Sequence, residues 1–287
     1  MEVLKADRCI RNAFDLEFRS GSMLQPWYVA KRGDPVYGDV EWEYRFFVDE
    51  IPTSPLFLMC EDCDEIAYSI NGKKAEQPDR KKYWIDRCFE CLPIELNQLR
   101  IGENIIHAKV AYKQSIGLES VYLVGIFGVR MVDNIPHLVC FPSEMGCGEL
   151  WKFDLPFYSG NLRYEVTPQI YSDLLPKNCG KDERILLLPE FYGACAVVKT
   201  KSGEQVIAWD SAGADITEAV LAKKSIWIQV DGTRRNLFGP FHQNPIRAGG
   251  YGPGNFVTDG AEWTNDYHLW ESGLKSIRFL IQKRNNE

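Results

Sequence analysis

Apolar and polar residues alternate with a period of two along much of this chain. Trp42, Tyr44, Phe46 and Val48 are interleaved with Glu41, Glu43, Arg45 and Asp49, broken only by Phe47. Successive side chains of a strand point to opposite faces, so the pattern predicts a strand with one buried face. Leu56-Phe57-Leu58-Met59 and Ile66-Ala67-Tyr68-Ser69-Ile70 continue it. The second of these runs into Asn71-Gly72, a pair that accepts the left-handed backbone of a tight hairpin. Residues 104–110 and 121–124 read the same way. Helical periodicity is confined to residues 93–100 and 215–224, a turn or two each.

The second half repeats this order. Residues 161–166 take the place of the strand at 42–47, residues 185–188 and 194–200 the places of the next two, and Lys201-Ser202-Gly203 that of the Asn71-Gly72 turn. Asp215-Ile216-Thr217 then replaces Pro93-Ile94-Glu95, and Ile226-Trp227-Ile228-Gln229-Val230 replaces the strand at 104–110. Asn236-Leu237-Phe238-Gly239-Pro240-Phe241 matches Tyr122-Leu123-Val124-Gly125-Ile126-Phe127. The offset falls from 131 residues (Gly72 to Gly203) to 114 (Gly125 to Gly239), as shorter loops in the second copy would produce. Two copies of one β-unit explain this order. Short strands with turn signals between them, and no strand–helix alternation, predict an all-β chain of two tandem β-sandwiches. They are read as residues 38–135 and 151–287. Residues 136–150 form a linker where Pro136, Pro142, Gly146 and Gly148 interrupt the pattern. Residues 1–37, with weaker strand signals and several breakers, form a lead-in that packs on the first sandwich.

Composition adds boundaries to this picture. A chain of 287 residues suits two ordinary domains, and 33 Lys+Arg against 40 Asp+Glu give a formal charge of −7. No basic stripe is available for phosphates, which excludes nucleic acid as the main partner. The longest apolar run, residues 121–129, holds two glycines and is too short to span a bilayer, and the first residues lack the apolar core of a signal peptide. Eight Trp, 13 Tyr and 15 Phe suit pleated, half-buried surfaces. Nine cysteines without a compact disulfide framework favour a reducing compartment, hence a cytoplasmic location.

Ser69-Ile70-Asn71-Gly72-Lys73, Tyr83-Trp84-Ile85-Asp86 and Leu99-Arg100-Ile101-Gly102-Glu103-Asn104-Ile105-Ile106 together resemble the sugar-binding-type (galactose-binding-like) jelly roll of family 2 glycoside hydrolases. Three later segments resemble the matching module near the end of large rhamnosidase-like glycoside hydrolases. They are Leu155-Pro156-Phe157-Tyr158-Ser159-Gly160, Arg235-Asn236-Leu237-Phe238-Gly239-Pro240-Phe241-His242 and Tyr267-His268-Leu269-Trp270-Glu271-Ser272-Gly273-Leu274. The resemblance covers most of residues 38–280 and implies two tandem jelly rolls. In the large enzymes such sandwiches flank a separate catalytic domain, commonly a barrel, and this sequence holds no barrel. The second copy departs from the pattern, with Lys201-Ser202-Gly203 for Asn-Gly and no Gly-Glu-Asn. The implied function is a non-catalytic carbohydrate-binding and scaffolding portion of a glycoside hydrolase-related protein. Its partner would be a carbohydrate or a neighbouring catalytic domain.

Four residues are candidates for that contact. Tyr251, Phe256 and Trp263 lie in a long irregular stretch, residues 243–266, and His242 closes the Gly-Pro-Phe-His corner before it. Two rival readings come from other residues. A self-sufficient sandwich-fold glycosidase or lyase would need two carboxyl groups about 5–10 Å apart, and no pair is marked by its context. A zinc-stabilised interaction module would use Cys60-Glu61-Asp62-Cys63 with Cys88-Phe89-Glu90-Cys91, since paired thiolates close a tetrahedral site. The acidic turn of Glu61, Asp62, Asp64 and Glu65 offers hard oxygens of the kind calcium takes, but it is read in preference as a solvated turn. The main reading requires no cofactor.

Overall fold

The computed structural model describes residues 2–18, 26–78, 81–176, 182–208, 213–245 and 256–283. The chain divides into two compact units. The first comprises Met1–Phe141 with Thr258–Trp263, the second Pro142–Val257 with Thr264–Glu287. No helix among the described residues is long and apolar enough to cross a membrane.

The first unit opens on a helix, α1 (Val3–Ala13), where the sequence offers only weak strand signals. The Glu2 carboxylate accepts the Lys5 backbone N–H at 2.9 Å and caps its start. Val3, Ala6, Ile10 and Phe14, spaced three and four apart, pack on the core of the unit. The same buried side carries a charged pair, Asp7 and Arg11, which breaks up the apolar stripe and hides the helix from a pattern search. Arg11 Nε meets Asp7 Oδ2 at 3.0 Å, and its Nη2 donates to the carbonyls of Ile116 (2.7 Å) and Gln114 (3.2 Å). Asp7 Oδ1 accepts the Leu118 backbone N–H at 3.0 Å. One ion pair thus satisfies three backbone groups between residues 114 and 118. A second helix, α2 (Pro26–Arg32), follows.

Among the described residues, ten strands complete the unit: β1 (Gly38–Val48), β2 (Leu56–Cys60), β3 (Ala67–Ile70), β4 (Lys73–Lys74), β5 (Tyr83–Trp84), β6 (Asp86–Ile94), β7 (Gly102–Tyr112), β8 (Tyr122–Gly125), β9 (Gly128–Val132) and β10 (Ile135–Val139). One sheet has the order β4-β3-β7-β1-β10-β9 and the other β5-β6-β2-β8. The alternation seen at 42–48 belongs to β1, antiparallel to β7 from Gly38↔Tyr112 to Val48↔Gly102. Leu56, Leu58 and Leu92 from one sheet meet Ile70, Ile106 and Ala108 from the other in a single buried cluster. Two sheets packed on a shared apolar layer form a sandwich. Residues 136–139, within the span read as linker, are strand: β10 runs parallel to β1 and antiparallel to β9.

The Asn-Gly and Gly-Glu-Asn signatures meet in this unit as a structural lock. Asn104, fully buried at the start of β7, donates from Nδ2 to the carbonyls of Arg100 (2.7 Å) and Gly102 (2.9 Å). Its Oδ1 accepts the Arg100 N–H (3.0 Å) and Asn71 Nδ2 (2.8 Å). Asn71, at the β3–β4 turn, also accepts the Ile105 N–H and donates to the Gln98 carbonyl. The two amides tie the turn to the 3-10 segment Leu96–Gln98 and the neighbouring strand, so their hydrogen-bonding capacity is spent on the fold.

The second unit holds β11 (Asn161–Val166), α3 (Pro168–Leu174), β12 (Glu183–Tyr192), β13 (Cys195–Thr200), β14 (Gly203–Ile207), β15 (Ala214–Asp215), α4 (Thr217–Leu221), β16 (Ile226–Asp231), α5 (Arg235–Phe238) and β17 (Gly273–Lys283). Its sheets have the orders β11-β16-β13-β14 and β15-β12-β17. Val166, Val198 and Ile228 from the first share a core with Ile185, Leu187 and Leu274 from the second.

Strand order carries the internal repeat. The series β4-β3-β7-β1 corresponds to β14-β13-β16-β11, and β6-β2-β8 to β15-β12-β17, with the strands in the same succession along the chain. β5, β9 and β10 have no counterpart among the described residues of the second unit. One sequence match is corrected. Residues 236–241 do not take the place of β8: Arg235–Phe238 is helical, and the strand beside β12 is β17. The glycine that suggested the match does two different jobs. Gly125 ends β8 so close to Leu56 that a Cβ would lie 2.6 Å from Leu56 Cδ2, whereas Gly239 terminates α5 at φ +78°.

Candidate functional site

The ends of both sheets of the second unit frame a cleft of about 220 Å³. β11 begins at Asn161 opposite Asp231, the last residue of β16, while β12 ends at Tyr192 opposite Gly273, the first residue of β17. All four strand ends therefore lie at one edge of the sandwich. The pairing of β12 with β17 shifts register between Glu190 and Phe191, next to the cleft. Such a bulge bends the strand and re-aims the side chains beyond it. Tyr158, Phe191, Tyr192 and Trp270 supply the aromatic lining, and Thr233, Asn236 and Glu271 the polar groups.

Each wall is braced. Asn236, buried on α5, holds the Trp270 backbone by both amide atoms, donating to its carbonyl at 2.7 Å and accepting its N–H at 2.8 Å. The Arg235 guanidinium lies 5.9 Å from the Trp270 ring centre, within cation–π reach. Lys275 donates to the Tyr192 hydroxyl at 3.2 Å and pairs with Glu190 at 3.0 Å. Hydrogen bonds from Ser276 and then Lys275 hold the Glu190 carboxyl below the usual carboxylate range. Glu190 and Lys275 thus neutralise each other beside Tyr192.

The floor depends on a close backbone approach. A Cβ at Gly232 would lie 2.7 Å from the Gly160 carbonyl oxygen and 3.1 Å from that of Ser159. Both obstacles are backbone, so neither can swing aside. Gly232→Ala is expected to cost about 1–3 kcal/mol, the usual range for overpacking, and to part the strand ends that shape the cleft. Urea denaturation of the variant checks the first effect, and a wild-type midpoint would refute it.

The three late segments that carry the family resemblance converge around this cleft. Tyr158 and Gly160 come from residues 155–160, Asn236 from 235–242, and Trp270 with Glu271 from 267–274. Beside it Phe157, Phe241 and Tyr267 pack as a triad with ring centres 5.7–5.8 Å apart, and the His242 ring lies 4.7 Å from Tyr267. His242 Nδ1 faces the Asp266 carbonyl at 3.2 Å, which makes this histidine a bracing corner residue. Burial raises the Tyr267 phenol.

The other predicted contact residues are dispersed. Tyr251 lies outside the described residues. Phe256 is exposed and belongs to the second unit, whereas half-buried Trp263 belongs to the first, its N–H bonded to the Gly260 carbonyl at 3.2 Å. Phe191 and Tyr192 fall between the strands read at 185–188 and 194–200 and carry no local signature. Asn236 and Trp270 stand out in the sequence only as motif letters.

The cysteine pairs occupy unlike environments. Cys60 and Cys63 are buried with sulfurs 3.0 Å apart, Cys91 is buried on β6, and Cys88 is exposed. Among the described residues no group of three or more His, Cys, Asp or Glu side chains is placed to hold a metal ion. In the acidic turn Asp64 pairs with Lys81 and Glu65 with Lys113.

No protein-family profile matches the chain, and no curated protein matches it. Among solved structures, the α-L-rhamnosidase of Streptomyces avermitilis complexed with L-rhamnose is similar at 12% identity and a TM-score of 0.29. The match covers 75% of this chain and 23% of that one. So slight a likeness carries no argument about fold or chemistry.

Proposed function

We propose that this chain is a non-catalytic carbohydrate-binding and scaffolding portion of a glycoside hydrolase-related protein, built from two tandem jelly rolls, with the second-unit cleft as its sugar site. The observation that carries the reading is the cleft's combination of braced aromatic side chains with the polar groups of Thr233 and Glu271. A pyranose offers an apolar C–H face and a rim of hydroxyl groups. Aromatic faces suit the first, and carboxylate and hydroxyl groups suit the second. Titration calorimetry against a panel of neutral mono- and oligosaccharides tests it. Binding is expected for the full chain, with at least a tenfold loss in Tyr192→Ala, about 1.4 kcal/mol. A chain that binds no sugar, or a Tyr192→Ala variant that binds as well as wild type, refutes the assignment. The glycosidase or lyase alternative needs a second carboxyl group about 5–10 Å from Glu271, and hydrolysis of an aryl-glycoside panel abolished by Glu271→Gln would establish it instead.

The scaffolding half of the reading places Trp263 of the first unit against a neighbouring catalytic domain. Buried aromatic anchors often contribute about 2 kcal/mol or more at interfaces. Trp263→Ala is therefore expected to weaken association with such a domain while leaving the melting temperature nearly unchanged. Lost stability with unaltered association would make Trp263 a core residue of the first unit.

A further inference from the structure

The turn that follows β2 brings two thiols together, and this arrangement serves neither the cleft nor the interface. Cys60 is the last residue of β2, and Cys63 follows after Glu61-Asp62. Their sulfurs lie 3.0 Å apart, about 1 Å beyond a disulfide bond length. The turn itself is rigid. Asp62 adopts φ +52°, its carbonyl accepts the N–H groups of Glu65 and Ile66 at 2.9 Å each, and Gln77 Nε2 donates to the Cys63 carbonyl. Cys63 Sγ also lies 3.5 Å from the Cys60 carbonyl oxygen, so both side chains face into the same turn.

We propose that Cys60 and Cys63 are a dithiol redox site that closes to an intramolecular disulfide by exchange with a small disulfide of the glutathione type. The less buried Cys63 thiolate attacks one sulfur of the oxidant and expels the other as a thiol. The Cys60 sulfur then attacks the Cys63 sulfur of the mixed disulfide and expels the second thiol. One S–S bond forms in the protein and one is broken in the oxidant. Two electrons pass to the small disulfide, and the two cysteine protons end on the two released thiols. Relative exposure of 0% and 5% shields the pair from protein-sized reagents and, once it is closed, from protein-sized reductants. Cys60, with no exposure at all, is the resolving partner, since the oxidant reaches only Cys63 directly. Closure clamps the end of β2 to the approach to β3, two strands in different sheets of the first unit.

Equilibration of the full-length chain with glutathione couples of increasing oxidation tests the proposal. Samples are acid-quenched, unfolded, alkylated with a light reagent, reduced, and alkylated again with a heavy one. Cys60 and Cys63 are expected to move from light to heavy label together, at one glutathione ratio, with both labels in one tryptic peptide spanning residues 46–73. In a Cys63→Ser variant, Cys60 is expected to remain light at that ratio. Light label at both positions in every couple would overturn the proposal. Heavy label on Cys60 together with Cys91 rather than Cys63 would also overturn it, as would stoichiometric zinc that prevents any labelling of the pair. The wild-type peptide map alone decides the matter where the serine variant fails to fold.

Discussion

Arg11→Ala is expected to cost roughly 3–5 kcal/mol, the range for breaking a buried ion pair by removing one partner. The guanidinium is fully buried and serves Asp7 together with the carbonyls of Gln114 and Ile116. Truncation leaves the Asp7 carboxylate buried with the Leu118 N–H as its remaining bond here, and strips three backbone acceptors, the carbonyls of Glu17, Gln114 and Ile116, of a charged donor. Near 150–250 residues each kcal/mol moves the melting temperature by about 2–4 °C, so a drop of roughly 6–20 °C follows. Thermal unfolding followed by circular dichroism reads it. Replacing both partners by apolar residues, Asp7→Leu with Arg11→Met, is expected to recover part of the loss, because the uncompensated charge disappears. A single variant with wild-type stability would show that α1 is an appendage rather than part of the first core.

Asn104 carries the second large effect. All four of its hydrogen-bonding sites are used, in a fully buried position between Arg100, Gly102 and Asn71. Asn104→Ala leaves those groups unpaired, at about 1–3 kcal/mol for each one that water cannot reach, so a loss of ~3–4 kcal/mol is expected. Asn104→Asp is the sharper test, since it keeps the shape and removes only the two N–H donors. A carboxylate facing two carbonyl oxygens at 2.7 and 2.9 Å would destabilise the unit at least as much as alanine at pH 7. Chemical denaturation of both variants measures this. An aspartate variant as stable as wild type would assign the position to packing rather than to hydrogen bonding.

The Asn104 lock also explains how a signature can be read correctly and still mislead about function. Asn71-Gly72 and Gly102-Glu103-Asn104 are legible as turn and strand-start signals. In the folded chain their amides face one another and the backbone, which leaves them unsuited to greet a ligand. The residues that line the cleft lack a local signature of comparable strength. Tyr192 ends a strand, Asn236 sits in a four-residue helix, and Trp270 lies in irregular chain between them and β17.

By itself the sequence determined β1, β2, β3, β7, β8, β11, β12, β13 and β16, the turns that follow β3 and β13, and most of the internal repeat, but not β6, β9, β10 or β17. Period-two alternation is a property of neighbouring residues and survives without knowledge of partners. Only the tertiary structure decided the rest. The α1 stripe is interrupted by Asp7 and Arg11, which become acceptable in a core only because Arg11 finds Ile116 105 positions away. β17, rather than residues 236–241, completes its sheet because a glycine that ends a strand and one that ends a helix are the same letter. The cleft exists because Asn236 reaches Trp270 across 34 residues and four strand ends meet at one edge. Alternation states which face of a strand is buried, whereas which strand ends come together is set by sheet order and bulges.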